Sequence, residues 1–305
     1  MKKIIIVLVV LVLAGVGVYF LTKSLNNKIP VENTPVTTDT TTQPANTDTT
    51  VVDNQKNAPE VVIGKSVDGN EIKAYRFGTG DTELLFVGGI HGGYEWNTVL
   101  LARELMDYLK KNPTVVPANV KVTVIPVLNP DGLKKTVGTV GDFTKADVSS
   151  NQSLVVAGRF NANEVDLNRN FDCDWQPTAK WQNKTVSGGT AAFSEPESLS
   201  IKSYVESNKP AGVVVFYSAA GGVFGSSCGD GGISTGTEDM MKVYSDASKY
   251  PAEKDFKAYA VTGDMINWLS KNNIPAMSVL LTNHTDTEWT KNWAGIEALI
   301  KHFTK

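Results

Sequence analysis

From residue 59 onward the chain alternates short runs of β-branched and aliphatic residues with longer segments whose apolar positions recur at helical spacing, and this alternation constrains the fold more than any other feature. Residues 71–77 and 83–87 read as strands, 95–111 as a helix and 120–128 as a buried strand. A helix follows over 195–208, entered through Ser194-Glu195-Pro196-Glu197, which has the form of a capping box with proline in the first turn. Residues 212–217 are almost wholly apolar and read as the next strand; helices near 239–248 and 264–272, a strand at 276–281 and a helix over 288–303 complete the series. Strands apolar on both faces need cover on both faces. The expected fold class is α/β, a three-layer α/β/α arrangement with a mixed, mostly parallel central sheet. Ligands of such sheets bind beyond the C-terminal ends of the strands, so the polar residues just past each strand are the ones to weigh.

Two segments of different composition precede this region. Residues 4–21 are uninterrupted apolar or small, long enough for a bilayer and longer than most cleavable signal cores. Lys2 and Lys3 come before the run with no acid, and the positive-inside rule then keeps the N-terminus cytoplasmic. Residues 1–22 are expected to form a single-pass transmembrane anchor in the cell membrane, with the domain on the extracytoplasmic side. The competing reading, a cleaved signal peptide, lacks a clean small-x-small site at the end of the run. Residues 23–58 are mainly Thr, Asn, Asp and Pro, offer too little apolar burial to offset their ordering entropy, and are expected to be a disordered linker. Residues 59–305 remain for one large α/β domain. A net charge of −3 leaves no basic surplus to neutralise phosphates, so nucleic acid is not an expected partner. Cys173 and Cys228 lie on the exported side in this reading, where disulfides persist; the sequence alone leaves a bridge between them open.

Three stretches carry candidate chemistry. His91-Gly92-Gly93-Tyr94-Glu95 ends a strand in an imidazole and begins a helix with a carboxylate four residues on, and two such donors converging on one cation suit zinc. Read as structure only, His91 sits in a turn and Glu95 favours a helix N-terminus. Asn129-Pro130-Asp131-Gly132 reads locally as a tight turn. Residues 159–171 hold Arg159, Arg169 and several amides. An Arg fork beside an amide can grip a carboxylate, and a second Arg can steady a developing oxyanion.

In this order the segments resemble the carboxypeptidase A-type zinc metallocarboxypeptidases, over about residues 61–305. Asn129-Pro130-Asp131-Gly132 is similar to that family's Asn-Pro-Asp-Gly turn and Asp166-Leu167-Asn168-Arg169-Asn170 to its Asp-x-Asn-Arg-Asn segment. The resemblance implies Zn2+ as cofactor, held by His91 and Glu95. It implies Asn168 and Arg169 as the grip on a peptide's free C-terminal carboxylate and Arg159 as the group polarising the scissile carbonyl. Tyr259 would cap the substrate and Ile266 would lie in the side-chain pocket. The implied activity is removal of C-terminal residues from peptides, which for an exported domain would be extracellular or cell-wall peptides.

Three positions depart from that family's pattern. Its first two ligands are spaced His-x-x-Glu, whereas Tyr94 stands at that place here and the acid comes one residue later. Tyr217 occupies the position of the third ligand, a histidine in the family, and a phenol with an unperturbed pKa of about 10 is a poor zinc ligand near neutral pH. Leu280 occupies the position of the glutamate base and cannot take a proton from water. His284 and Glu288, just past the same strand, are the available substitutes for ligand and base. Two readings therefore stand: a metallocarboxypeptidase-like hydrolase, and a carboxypeptidase fold that binds peptide C-termini without turnover.

Overall fold

The computed structural model describes residues 58–229 and 232–304, all within the second of two units, residues 49–305. The expected anchor at 1–22, and the linker up to residue 57, lie outside the described residues. Among the described residues no helix is long and apolar enough to cross a membrane.

Among the described residues ten strands form in chain order: β1 Glu60–Lys65, β2 Glu71–Phe77, β3 Thr82–Val87, β4 Val120–Ile125, β5 Thr178–Trp181, β6 Lys184–Ser187, β7 Gly212–Ser218, β8 Gly222–Phe224, β9 Ala252–Glu253 and β10 Ala276–Leu281. Eight of them make one sheet in the order β1-β2-β4-β3-β7-β10-β8-β9, and β5 with β6 makes a separate hairpin. Pairings β3/β4, β3/β7, β7/β10 and β8/β9 are parallel; β1/β2, β2/β4 and β8/β10 are antiparallel. This is the expected mixed, mostly parallel sheet. The helices are α1 Trp96–Lys111, α2 Pro130–Val137, α3 Gln152–Ala157, α4 Pro196–Asn208, α5 Thr235–Ser248, α6 Met265–Lys271 and α7 Trp289–His302.

Strand alternation separates two cores. Leu84 and Phe86 of β3, Val214 and Phe216 of β7, and Val279 and Leu281 of β10 face Leu101, Leu105, Met240, Tyr244, Ile296 and Leu299 of α1, α5 and α7. Their neighbours Leu85, Val87, Val213, Val215 and Tyr217 face Ile201, Tyr204, Met265 and Trp268 of α4 and α6 on the other side. Each fully buried aliphatic of this kind contributes about 1.5–3 kcal/mol, so both faces of the central strands must be apolar. A charge at Val215, buried among these side chains, would have no partner and would break the sheet there.

Three local expectations are corrected. The strand read over 120–128 stops at Ile125, because Pro126 has no N–H to donate to a neighbour. Residues 129–132, read as a tight turn, instead open α2, which runs to Val137: Asn129 accepts a hydrogen bond from Gly132 N at 2.8 Å, and Gly138 at φ +78° ends the helix. The capping box at Ser194 does not form. Glu195 is the N-cap of α4 without a side-chain cap bond; Ser194 Oγ donates to its Oε1, while Asn161 and Asn163 occupy its Oε2. The hairpin β5–β6 and the edge strand β1 carry no strong alternation and were not read from the sequence.

Candidate active site

Beyond the C-terminal ends of β3, β7 and β10 opens a cavity of about 540 Å³, lined by His91, Glu95, Arg159, Asn168, Arg169, Tyr217, Tyr259, Ile266, Leu280 and His284 among others. Chain direction explains its place: the parallel strands end together, and their loops converge there.

His91 follows β3 after two glycines. Gly92 has φ +45°, and a Cβ there would lie 2.7 Å from the Gly158 carbonyl oxygen, so only glycine lets the chain turn the imidazole inward. The following single turn, Gly92–Glu95, absorbs the extra residue of the His-to-Glu spacing. His91 Nδ1 then lies 3.0 Å from Glu95 Oε1, and Nε2 lies 3.4 Å from Asp166 Oδ1. Both residues are buried, and neither ring nitrogen nor Glu95 Oε2 has an aligned hydrogen bond within the protein. Orphaned buried atoms of this kind are rare and mark a place where a further group is held.

Asp166, missed as a site residue by the sequence reading, organises this region. It caps the turn Leu167–Arg169 by accepting from Asn168 N. Arg159 Nε and Nη2 both donate to its Oδ2 at 2.8 Å. Burial pushes the Asp166 carboxyl up, but Arg159, the His91 contact and Arg169 outweigh it and hold the group well below the usual carboxylate range. The Arg159 guanidinium also stacks 4.4 Å over the Trp181 ring of the β5–β6 hairpin. An acid seven residues after Arg159, at the spacing of an N-cap, was the available signal.

Arg169 is 1% exposed. Its Nε and Nη2 donate to the Lys180 carbonyl and its Nη1 to the Asn168 carbonyl. Beside it, Asn168 Oδ1 accepts from Met265 N and from the Tyr217 hydroxyl, each at 3.1 Å. Tyr259 lies with its ring 5.9 Å from the Arg169 guanidinium, and Ile266 is buried on α6 at the cavity wall. Asp264, also on the wall, caps α6 through Asn267 N at 2.7 Å; burial raises its pKa. The structure thus brings together His91, Glu95, Arg159, Asn168, Arg169, Tyr259 and Ile266. The Cys173–Cys228 disulfide is formed, with the Cα atoms 5.8 Å apart, and it ties the loop after Asn170 to the loop after β8.

Glu288 is not brought there. It caps α7 at φ +48°, and its carboxylate accepts from Thr282 N, Thr282 Oγ1 and the Tyr250 hydroxyl, outside the cavity lining. The expectation of a base at Glu288 is corrected: the acid is consumed in holding the end of β10 to α7. His284 does line the cavity, its ring 4.8 Å from that of Tyr94 and its Nδ1 buried without a partner. Burial lowers its pKa, which favours the neutral imidazole.

His91 and Glu95 offer a metal ion two donors, and their orphaned atoms suit that use. Among the described residues no third His, Cys, Asp or Glu donor atom lies within 4.8 Å of both of theirs; His284, with its unpartnered Nδ1 on the same cavity wall, stands farther off. Tyr217, its ring 5.5 Å from that of His91, gives its proton to Asn168, and burial, then the Asp264 and Glu95 charges, push its hydroxyl well above 10. Among the described residues the one trio of His, Cys, Asp or Glu donor atoms within 4.8 Å of one another is Cys173, Asp174 and Cys228, whose sulfurs are bonded to each other. Leu280, in register with Tyr217 across β7 and β10, brings a hydrocarbon to the cavity where a base would stand. The residues present do not complete a three-ligand zinc centre with a carboxylate base.

Residues 49–286 match the zinc carboxypeptidase family, and the chain belongs to that family. Mouse carboxypeptidase D is 26% identical over 157 residues, which cover 47% of this chain and 10% of that protein; the chain thus spans about a tenth of that relative. Among solved structures, bovine thrombin-activatable fibrinolysis inhibitor aligns with a TM-score of 0.65 at 14% identity, covering 80% of this chain and 90% of that one. The carboxypeptidase A of Helicoverpa armigera aligns at 0.62 and 17% identity, covering 83% and 70%. These likenesses fix the fold.

Proposed function

We propose that the domain recognises peptides by their free C-terminal carboxylate and holds them without efficient hydrolysis. The observation that carries this reading is Arg169. It is a guanidinium 1% exposed on a cavity wall, whose hydrogen bonds among the described residues run to backbone carbonyls and which has no carboxylate there within 4.0 Å. Three of its five N–H groups are spent on those carbonyls, and two remain beside Asn168 for an incoming anion. Arg159 is neutralised by Asp166 and acts on the same cavity as an oriented donor. With Leu280 and Tyr217 at the positions that the resemblance gives to the base and the third ligand, attack on the peptide bond lacks the carboxylate base and the three-ligand metal centre that efficient hydrolysis uses.

The substrates suggested by an exported domain are extracellular or cell-wall peptides, tethered near the cell membrane if residues 1–22 span it. Titrating a fluorescent peptide and its C-terminal amide against the protein tests the reading. The free acid should bind at least ten-fold more tightly, about 1.4 kcal/mol, and equal affinities overturn it. A second reading, removal of the C-terminal residue with zinc, draws on the orphaned atoms of His91 and Glu95. Release of a free amino acid distinguishes it.

A further inference from the structure

We infer that Tyr217 is a positioning residue for carboxylate recognition: it orients the Asn168 amide so that its NH2 group faces the cavity beside Arg169. The inference rests on the carboxylate-binding reading above and assigns a role to the side chain that displaces a metal ligand.

The orientation of an amide side chain is decided by its partners. Met265 N is a backbone donor and has nothing to accept, so the atom of Asn168 that meets it at 3.1 Å must be the carbonyl oxygen. The Tyr217 hydroxyl meets the same oxygen at 3.1 Å and donates to it. Both lone pairs of Oδ1 are therefore occupied, one by the first residue of α6 and one by the end of β7. The amide is pinned from two elements. Nδ2 has no acceptor among the described residues, and Asn168 lines the cavity. Its two N–H groups and the two unspent N–H groups of Arg169 together present four donors, the complement of a carboxylate with two oxygens.

Tyr217 suits this task and no acid–base one. It is 6% exposed, its ring is fixed on β7 against His91 at 5.5 Å, and a hydroxyl held protonated is always available as a donor. Its partner across the sheet, Leu280, adds an apolar wall and no competing acceptor. A phenylalanine at 217 would leave the second lone pair of Oδ1 empty and let the amide swing.

The test measures affinities of the full chain for a fluorescent short peptide and for its C-terminal amide, in wild type, Tyr217→Phe and Asn168→Asp. Tyr217→Phe should cut the preference for the acid about five-fold while leaving the amide affinity unchanged, the loss expected when one neutral hydrogen bond no longer orients a ligand-binding group. Asn168→Asp keeps an acceptor for Met265 and Tyr217 but turns an oxygen toward the ligand, and should abolish the preference for the acid. If wild type prefers the acid and Tyr217→Phe prefers it equally, the inference falls and the binding reading stands. If Asn168→Asp binds the acid as wild type does, Nδ2 does not face the ligand and the inference falls, whether or not Tyr217→Phe folds. If wild type shows no preference, both fall.

Discussion

Removing the Asp166 carboxylate should cost the domain about 3–5 kcal/mol, the penalty for stripping one partner from a buried ion pair. The magnitude follows from the burial of both charges: Arg159 is 2% exposed and Asp166 0% exposed, and both guanidinium contacts are 2.8 Å long. In Asp166→Ala, Arg159 keeps only the ring faces of Trp181 and Tyr94 and loses its counter-charge. The same change frees His91 Nε2 and uncaps the turn that carries Asn168 and Arg169. Against a total stability of about 5–15 kcal/mol, such a loss is a large fraction of the whole. Urea unfolding followed by tryptophan fluorescence reads it as a lower midpoint at unchanged slope. The double change Arg159→Met with Asp166→Leu should recover more than half of the loss, because no charge is then left buried alone. A single-variant cost below about 1 kcal/mol, or a double variant weaker than the single one, would refute the claim that this pair is the keystone under the site.

Replacing both Cys173 and Cys228 by Ser should lower the unfolding free energy by about 2–4 kcal/mol, since the bridge closes a loop of sequence separation 55; an unchanged denaturation midpoint contradicts this. Glu288→Gln should lower the melting temperature through the lost hold on Thr282 while leaving the affinity for a free-acid peptide as in wild type, and a parallel loss of affinity would return Glu288 to the site. Tyr204 is pushed up to about 12 by burial and by the charge and hydrogen bond of Glu83. Its folded pKa lies above the unfolded value of about 10, so its contribution is complete below pH 10 and is lost as pH rises from 10 to 12. Wild type should lose about 2 kcal/mol more than Tyr204→Phe over that window, and parallel alkaline melting curves would contradict the assignment.

The layers of the fold were legible because hydrophobic periodicity reports burial directly. Residues 212–217 are apolar at every position, and β7 is buried on both faces between α1 and α4. Where an element owes its form to a remote partner, periodicity was silent: β5 and β6 have only four residues each and are held by Trp181 packing on Arg159. Ser194 shows the opposite failure, a correct local motif overridden because Glu195 is drawn into a cluster with Asn161 and Asn163. At the site, His91 and Glu95 could be paired from their spacing, whereas Asn168 and Arg169 were reached through the resemblance of their segment to the family's Asp-x-Asn-Arg-Asn. The roles of Tyr217 and Glu288 were not, since each is set by a hydrogen-bond partner on another strand or helix: Asn168 for the first, Tyr250 and Thr282 for the second.

The mass of a short free-acid peptide recovered after long incubation with the purified, zinc-supplemented protein is the measurement that bears most directly on the proposal that the domain grips a carboxylate without efficient hydrolysis. The peptide is predicted to return bound and intact. Recovery of a peptide shorter by its last residue, at a rate above that of the protein-free control, would contradict the account.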